Sequence, residues 1–205
     1  MESGQILIDK RGNDGLNLAA LHVASHMQAN FDFWFRLSGG DKDTFRYAFW
    51  VLEASYLAAP RWVSPLGTSD GSEDSRQEGK FCGLSMLQYD IQMNKEGEYL
   101  PLFVHANLLK HHQATWMSKA EKVFWTIKRP SLDTASVPSL DRVSIWVYNQ
   151  AGMCLDIKVD PATDNQVGAG QEQRIVTERF DEVYGEIFKD FEARWRDAGG
   201  VIGGF

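Results

Sequence analysis

The sequence predicts an α/β fold, and two kinds of signal carry that prediction. Period-two alternation marks strands: Leu100, Leu102 and Val104 alternate within residues 99–105. Spacings of three and four mark helices: Leu16, Ala20, Val23, Ala24 and Met27 share one face of residues 14–29. Both kinds recur along the chain.

Taken in order, Gln5-Ile6-Leu7-Ile8-Asp9 follows a polar turn and reads as a strand, with Ile6 and Ile8 expected inside a sheet. A chain opening on such a strand is expected to start in mid-fold, as the back part of something larger. Asn13 or Asp14 can cap the helix over 14–29. His22 and His26 lie four apart on it, a chelating spacing, but no third ligand is near in sequence. Phe31-Asp32-Phe33-Trp34-Phe35 is an aromatic short helix or turn. Ser38-Gly39-Gly40-Asp41 reads as a turn and cap, and residues 42–54 as a helix with Phe45, Phe49 and Leu52 on one face. Residues 55–58 read as a short strand, and the polar run 68–80 as a loop. Strands are expected over 81–89 and 99–105, a helix over 114–125, and a loop over 130–138. Residues 142–148 and 154–159 form a hairpin turning near Gly152. After a polar loop over 160–172, Ile175, Phe180, Val183, Ile187, Phe191 and Trp195 predict one long helix over 174–197. Residues 1–128 are expected to form one partial domain, and 129–205 a C-terminal extension packed on it.

The 205 residues suffice for one ordinary domain, and 43% hydrophobic with 24% charged residues are globular values. The net charge of −7 disfavours a general nucleic-acid binder, which needs a basic face to release counterions. It leaves room for a nucleotide, whose diphosphate one lysine or cation can neutralise. Seven tryptophans make either a large aromatic core or sugar-stacking positions; Trp34, Trp50, Trp116 and Trp125 lie near the motifs below. The two cysteines, Cys82 and Cys154, fit no zinc spacing and are either buried thiols or a disulfide. The sequence as given holds no run of roughly 18 apolar residues and no basic-then-apolar leader.

Asp41-Lys42-Asp43 has a DxD form. Two carboxylates can hold a hard cation, and the cation can neutralise a departing phosphate. Acidic residues are equally at home at a helix start, where the dipole favours them. His105 closes an apolar strand and Lys110 follows five residues on, so a metal ligand and a phosphate contact can stand close together. A structural histidine is the plainer reading. Gly83 implies a close backbone approach, and Gln88-Tyr89-Asp90 a polar strand end.

The succession Glu2-Ser3-Gly4-Gln5, Gly40-Asp41-Lys42-Asp43-Thr44-Phe45-Arg46, Gly83 with Gln88-Tyr89-Asp90, and Phe103-Val104-His105-Ala106-Asn107 with Lys110 resembles the fungal Golgi α-mannosyltransferase family. The resemblance covers about residues 2–110. More distantly, it is similar to glycogenin-like retaining transferases. It implies the C-terminal part of a GT-A, Rossmann-like domain that moves mannose from GDP-mannose to a mannose-containing glycan with retention. It also implies Mn2+ or another divalent cation and a luminal Golgi site, with a membrane anchor only in a longer form. By the same resemblance Asp41 and Lys42 stand at the reacting centre, with Gly40 beside them. Glu2, Ser3, Gly4 and Gln5 line the acceptor side, His105 ligates the metal, and Lys110 reaches the diphosphate. The family's metal-binding DxD precedes the Glu-Ser-Gly-Gln motif. This sequence begins at that motif, so its donor-binding half is expected to be missing. The alternative is a non-catalytic glycan- or partner-binding remnant of the family, and a third reading is a truncated chain.

Overall fold

The computed structural model describes residues 6–37, 40–61, 63–69, 81–111, 122–130, 143–149, 153–159 and 175–203. The chain divides into two compact units, Met1–Ala58 and Ala59–Phe205. The boundary expected between 128 and 129 falls inside a strand of the second unit, Thr126–Pro130.

The first unit is helical. A 3-10 turn at Asn13–Gly15 leads into α1 (Leu16–Ala29), followed by α2 (Phe31–Trp34) and α3 (Lys42–Val51). Helices α1 and α3 meet through Ala20 and Ala24 against Ala48 and Phe49, all buried. The alanines let the helix backbones approach closely, and Phe49 fills the remaining space. These helices fall where the spacing puts them. The strands expected at 5–9 and 55–58 do not form: residues 6–9 and 54–59 are irregular, and Leu7 is 99% exposed. A short apolar segment becomes a strand only when another strand satisfies its N–H and C=O groups. Every described strand lies in the second unit. Ile6 and Ile8 are therefore not interior sheet residues.

The second unit is built on one seven-stranded sheet. Its strands are β1 (Ser64–Ser69), β2 (Phe81–Tyr89), β3 (Pro101–His105), β4 (Thr126–Pro130), β5 (Val143–Asn149), β6 (Met153–Val159) and β7 (Ile175–Arg179). The order is β5-β6-β2-β1-β4-β7, with β3 also on β2. Every described pair is antiparallel. A Rossmann-type sheet is mostly parallel, so the protein keeps the expected mixture of α and β but arranges this sheet differently. Strand β2 is the hub. It pairs along one edge with β1, while β3 at Met86–Tyr89 and β6 at Gly83 share the other.

The expected hairpin is present as β5–β6, in register from Val143↔Val159 to Asn149↔Met153. Cys82 and Cys154 are joined in a disulfide, Cα to Cα 4.8 Å, beside the single β2–β6 pair Gly83↔Leu155. The alternation in β3 is real, but its apolar face is not fully covered: Leu102 is 50% exposed, and only Val104 packs against the main core.

The long helix over 174–197 does not form. Ile175-Val176-Thr177 is β-branched, a composition that suits a pleated strand better than a helix. It pairs with β4 from Thr126↔Arg179 to Pro130↔Ile175. Two short helices follow, α4 (Phe180–Tyr184) and α5 (Phe191–Asp197), separated by Asp190 at φ 55°. Of the expected apolar set, Phe180, Val183, Phe191 and Trp195 still reach the main core, while Ile187 is exposed. That core is centred on Leu66, Leu84, Leu87, Val123, Phe124 and Ile127. The helix expected over 114–125 falls largely outside the described residues, and Lys122–Trp125, which are described, are irregular.

Candidate functional site

Two groups of candidate residues are described, one in each unit. In the first, Gly40 has φ 128°, a left-handed value that suits glycine, and leads into Asp41 at the N-terminus of α3. Asp41 does not cap the helix with its side chain. Thr44 does the local work instead. Its buried hydroxyl donates to the Asp41 carbonyl at 2.6 Å and accepts from Gln28 Nε2 of α1 at 3.0 Å. The turn is thereby tied to α1 while the Asp41 and Lys42 side chains stay exposed. Thr44→Val keeps the shape but deletes both bonds and orphans the amide of Gln28. We expect a loss of about 1 kcal/mol, read as a lower melting temperature.

In the second unit, His105 ends β3 opposite Met86 and is half-buried. The chain continues along β2, where Leu108 N–H donates to the Leu84 carbonyl at 3.1 Å. A 3-10 turn, Leu109–His111, then presents Lys110 and His111 at the surface above buried Leu109. His105 and Lys110 thus flank one strand exit. Glu2, Ser3, Gly4 and Gln5 lie outside the described residues.

Within the Gln88-Tyr89-Asp90 end, Tyr89 and Asp90 take structural roles. Tyr89 is buried, bonds Ser64 Oγ at 2.7 Å and lies under the Arg61 guanidinium at 4.0 Å. Burial drives its phenol pKa upward, and the Arg61 charge offsets only part of that. Tyr89 therefore stays a neutral core group. Asp90 closes a turn, its Oδ1 accepting from Gln92 N–H at 3.1 Å. Gly83 does mark a close approach, because a Cβ there would overlap the Leu155 carbonyl.

Among the described residues, no group of three or more His, Cys, Asp or Glu could hold a metal ion. His22 and His26 are both exposed on α1. Of the tryptophans, Trp116 lies outside the described residues and Trp34 is half-buried. Lys122 and Arg179 both stand over the Trp125 ring, at 4.0 and 4.2 Å, so cations occupy it in place of a sugar. Trp50 is 68% exposed on α3 and so is open to a ligand.

One carboxylate escaped the sequence reading. Glu192 on α5 accepts from the backbone N–H groups of Val123 and Phe124. Nothing in the sequence signals a partnership across 69 positions.

Residues 1–90 match a family described as “Mannosyltransferase putative”. The match spans Glu2–Gln5, Gly40–Lys42, Gly83 and Gln88–Asp90, and stops before His105 and Lys110. It supports a mannosyltransferase-family relationship, and with it a glycosyltransferase function in general terms. No curated protein and no solved structure matches the chain.

Proposed function

We propose that this chain belongs to a GT-A type α-mannosyltransferase that transfers mannose from GDP-mannose to a hydroxyl of a mannose-containing glycan with retention. The observation that carries the reading is the match of residues 1–90, which includes the Gly40-Asp41-Lys42 turn. The GT-A placement rests on the motif resemblance over about residues 2–110 and not on the strand topology. In the transfer, the bond from the anomeric carbon to the diphosphate breaks and GDP leaves. The acceptor oxygen bonds that carbon and its proton is released. Asp41 carries a carboxylate not used in capping and faces the donor sugar; Lys42 stands beside it. Glu2, Ser3, Gly4 and Gln5 line the acceptor side. The family resemblance assigns Lys110 to the diphosphate, a role that suits a surface lysine.

A divalent cation such as Mn2+ belongs to the proposal, with His105 as one ligand. The described residues supply no complete ligand set, so no step here runs through it. A luminal Golgi location is also part of the reading. The Cys82–Cys154 bond supports it, because disulfides form and persist in oxidising compartments.

The test is GDP release from GDP-mannose with Mn2+ and a mannobiose acceptor, with product identified by mass spectrometry. Asp41→Ala and Lys42→Ala should each cut turnover by about a hundredfold without moving the melting temperature. Mannobiose binding with no GDP release would favour the glycan-binding alternative. Neither binding nor release would sink the reading.

A further inference from the structure

The surface turn that carries Lys110 is held from the C-terminal end of the chain. Glu192 Oε1 accepts from Val123 N–H at 3.0 Å, and Oε2 accepts from Val123 and Phe124 N–H at 2.9 and 3.1 Å. Arg196 Nη2, one helical turn on, donates to Oε1 at 2.7 Å. The Glu192 side chain is only 18% exposed. A carboxylate this enclosed needs charge-assisted donors, and here it has two backbone amides and a guanidinium. Phe124 then packs edge-on to Phe191 and Trp195, with centroids 5.0 and 5.3 Å apart. Beyond α5 the chain returns, and Gly203 N–H donates to the Leu109 carbonyl at 3.0 Å. The last described segment therefore grips Leu109 on one side and Val123–Phe124 on the other.

We propose that Glu192 is a positioning residue: it anchors a C-terminal clasp that fixes the Leu109–His111 turn and so sets Lys110 for a nucleoside diphosphate. The part concerning the diphosphate rests on the proposed function; the clasp itself does not. Glu192 touches no substrate. It acts by removing freedom from the backbone that bears the lysine, so the lysine binds phosphate without first having to be ordered.

The experiment has two arms, both on the full chain. Amide hydrogen exchange over residues 105–111 and 122–130 reads the clasp directly, comparing the unsubstituted protein with Glu192→Ala and Glu192→Gln. Exchange should rise in both segments for Glu192→Ala and less for Glu192→Gln, which keeps one acceptor oxygen. Unchanged exchange at 105–111 overturns the clasp. Calorimetric GDP binding in Mn2+ reads the positioning. Lys110→Ala should weaken GDP about tenfold and Glu192→Ala about fivefold. The double variant should bind no more weakly than Lys110→Ala alone. Additive losses would show that Glu192 does not act through Lys110 and would overturn the positioning role. If Glu192→Ala fails to fold, Glu192→Gln carries both arms. An unsubstituted chain that does not bind GDP sinks the donor reading and the diphosphate role together, and the exchange arm still decides the clasp.

Discussion

Loss of the Cys82–Cys154 bond is expected to destabilise the Ala59–Phe205 unit by about 4 kcal/mol, the chain-entropy value for the 72-residue separation it closes. The effect should be localised as well as large. The β5–β6 hairpin holds itself together by seven register pairs but reaches β2 by one, Gly83↔Leu155. The disulfide sits beside that single pair and is the covalent tie there, alongside the packing of Leu155 on Met86 and Leu108 and the Lys128–Asp156 ion pair. Both cysteines are buried, at 5% and 1% exposure, so a reductant acts only on opened molecules. The measurement is equilibrium urea unfolding with and without reductant, alongside a Cys82→Ala/Cys154→Ala variant. The variant should unfold at the reduced protein's midpoint and gain nothing from oxidation. Amide exchange in Met153–Val159 should rise before exchange in β1 or β4. Two titratable thiols in unreduced, denatured protein would refute the bond outright.

The helical first unit was largely legible because local spacing decides it. Ala20, Ala24, Ala48 and Phe49 are the residues that the three-and-four pattern places inward, or their immediate neighbours. The sheet was legible only where a strand carries its own signature, as in β2, β5 and β6. Ser64-Pro65-Leu66-Gly67-Thr68-Ser69 contains proline and glycine, which ordinarily argue against a strand, yet it pairs with β2 over its whole length. Its strand state comes from its partners. Residues 175–197 misled for the complementary reason. Phe180, Val183, Phe191 and Trp195 face one core, as they would from a single helix, but the chain reaches it through a strand, a left-handed residue and two short helices. An apolar list fixes what is buried before it fixes how the backbone gets there. Among candidate site residues, Asp41 and Lys42 were readable as an exposed helix start. The half-buried setting of His105 and the grip of Glu192 depend on distant partners that no local pattern encodes.

Gly67→Ala should be among the most damaging single substitutions in the protein, at about 3 kcal/mol or more. Its φ is not the reason. A Cβ at position 67 would overlap the Cys82 carbonyl oxygen and crowd the Gly83 Cα, at the point where the β1–β2 register shifts between Leu66 and Gly67. Those are backbone atoms, and they cannot swing aside as a side chain can. Strand β2 cannot retreat either, because on its other edge Gly83 already lies against the Leu155 carbonyl and Cys82 is bonded to Cys154. Gly97→Ala is the matched comparison. Gly97 has φ 82° with nothing within 4 Å of an added Cβ, so alanine there meets only left-handed strain of about 1 kcal/mol. Urea midpoints for the two variants, measured side by side in the oxidised protein, separate packing from conformation. A Gly67→Ala cost no larger than that of Gly97→Ala would mean that the three strands meeting at Cys82–Gly83 are not closely packed, and the account of β2 as the hub would fall with it.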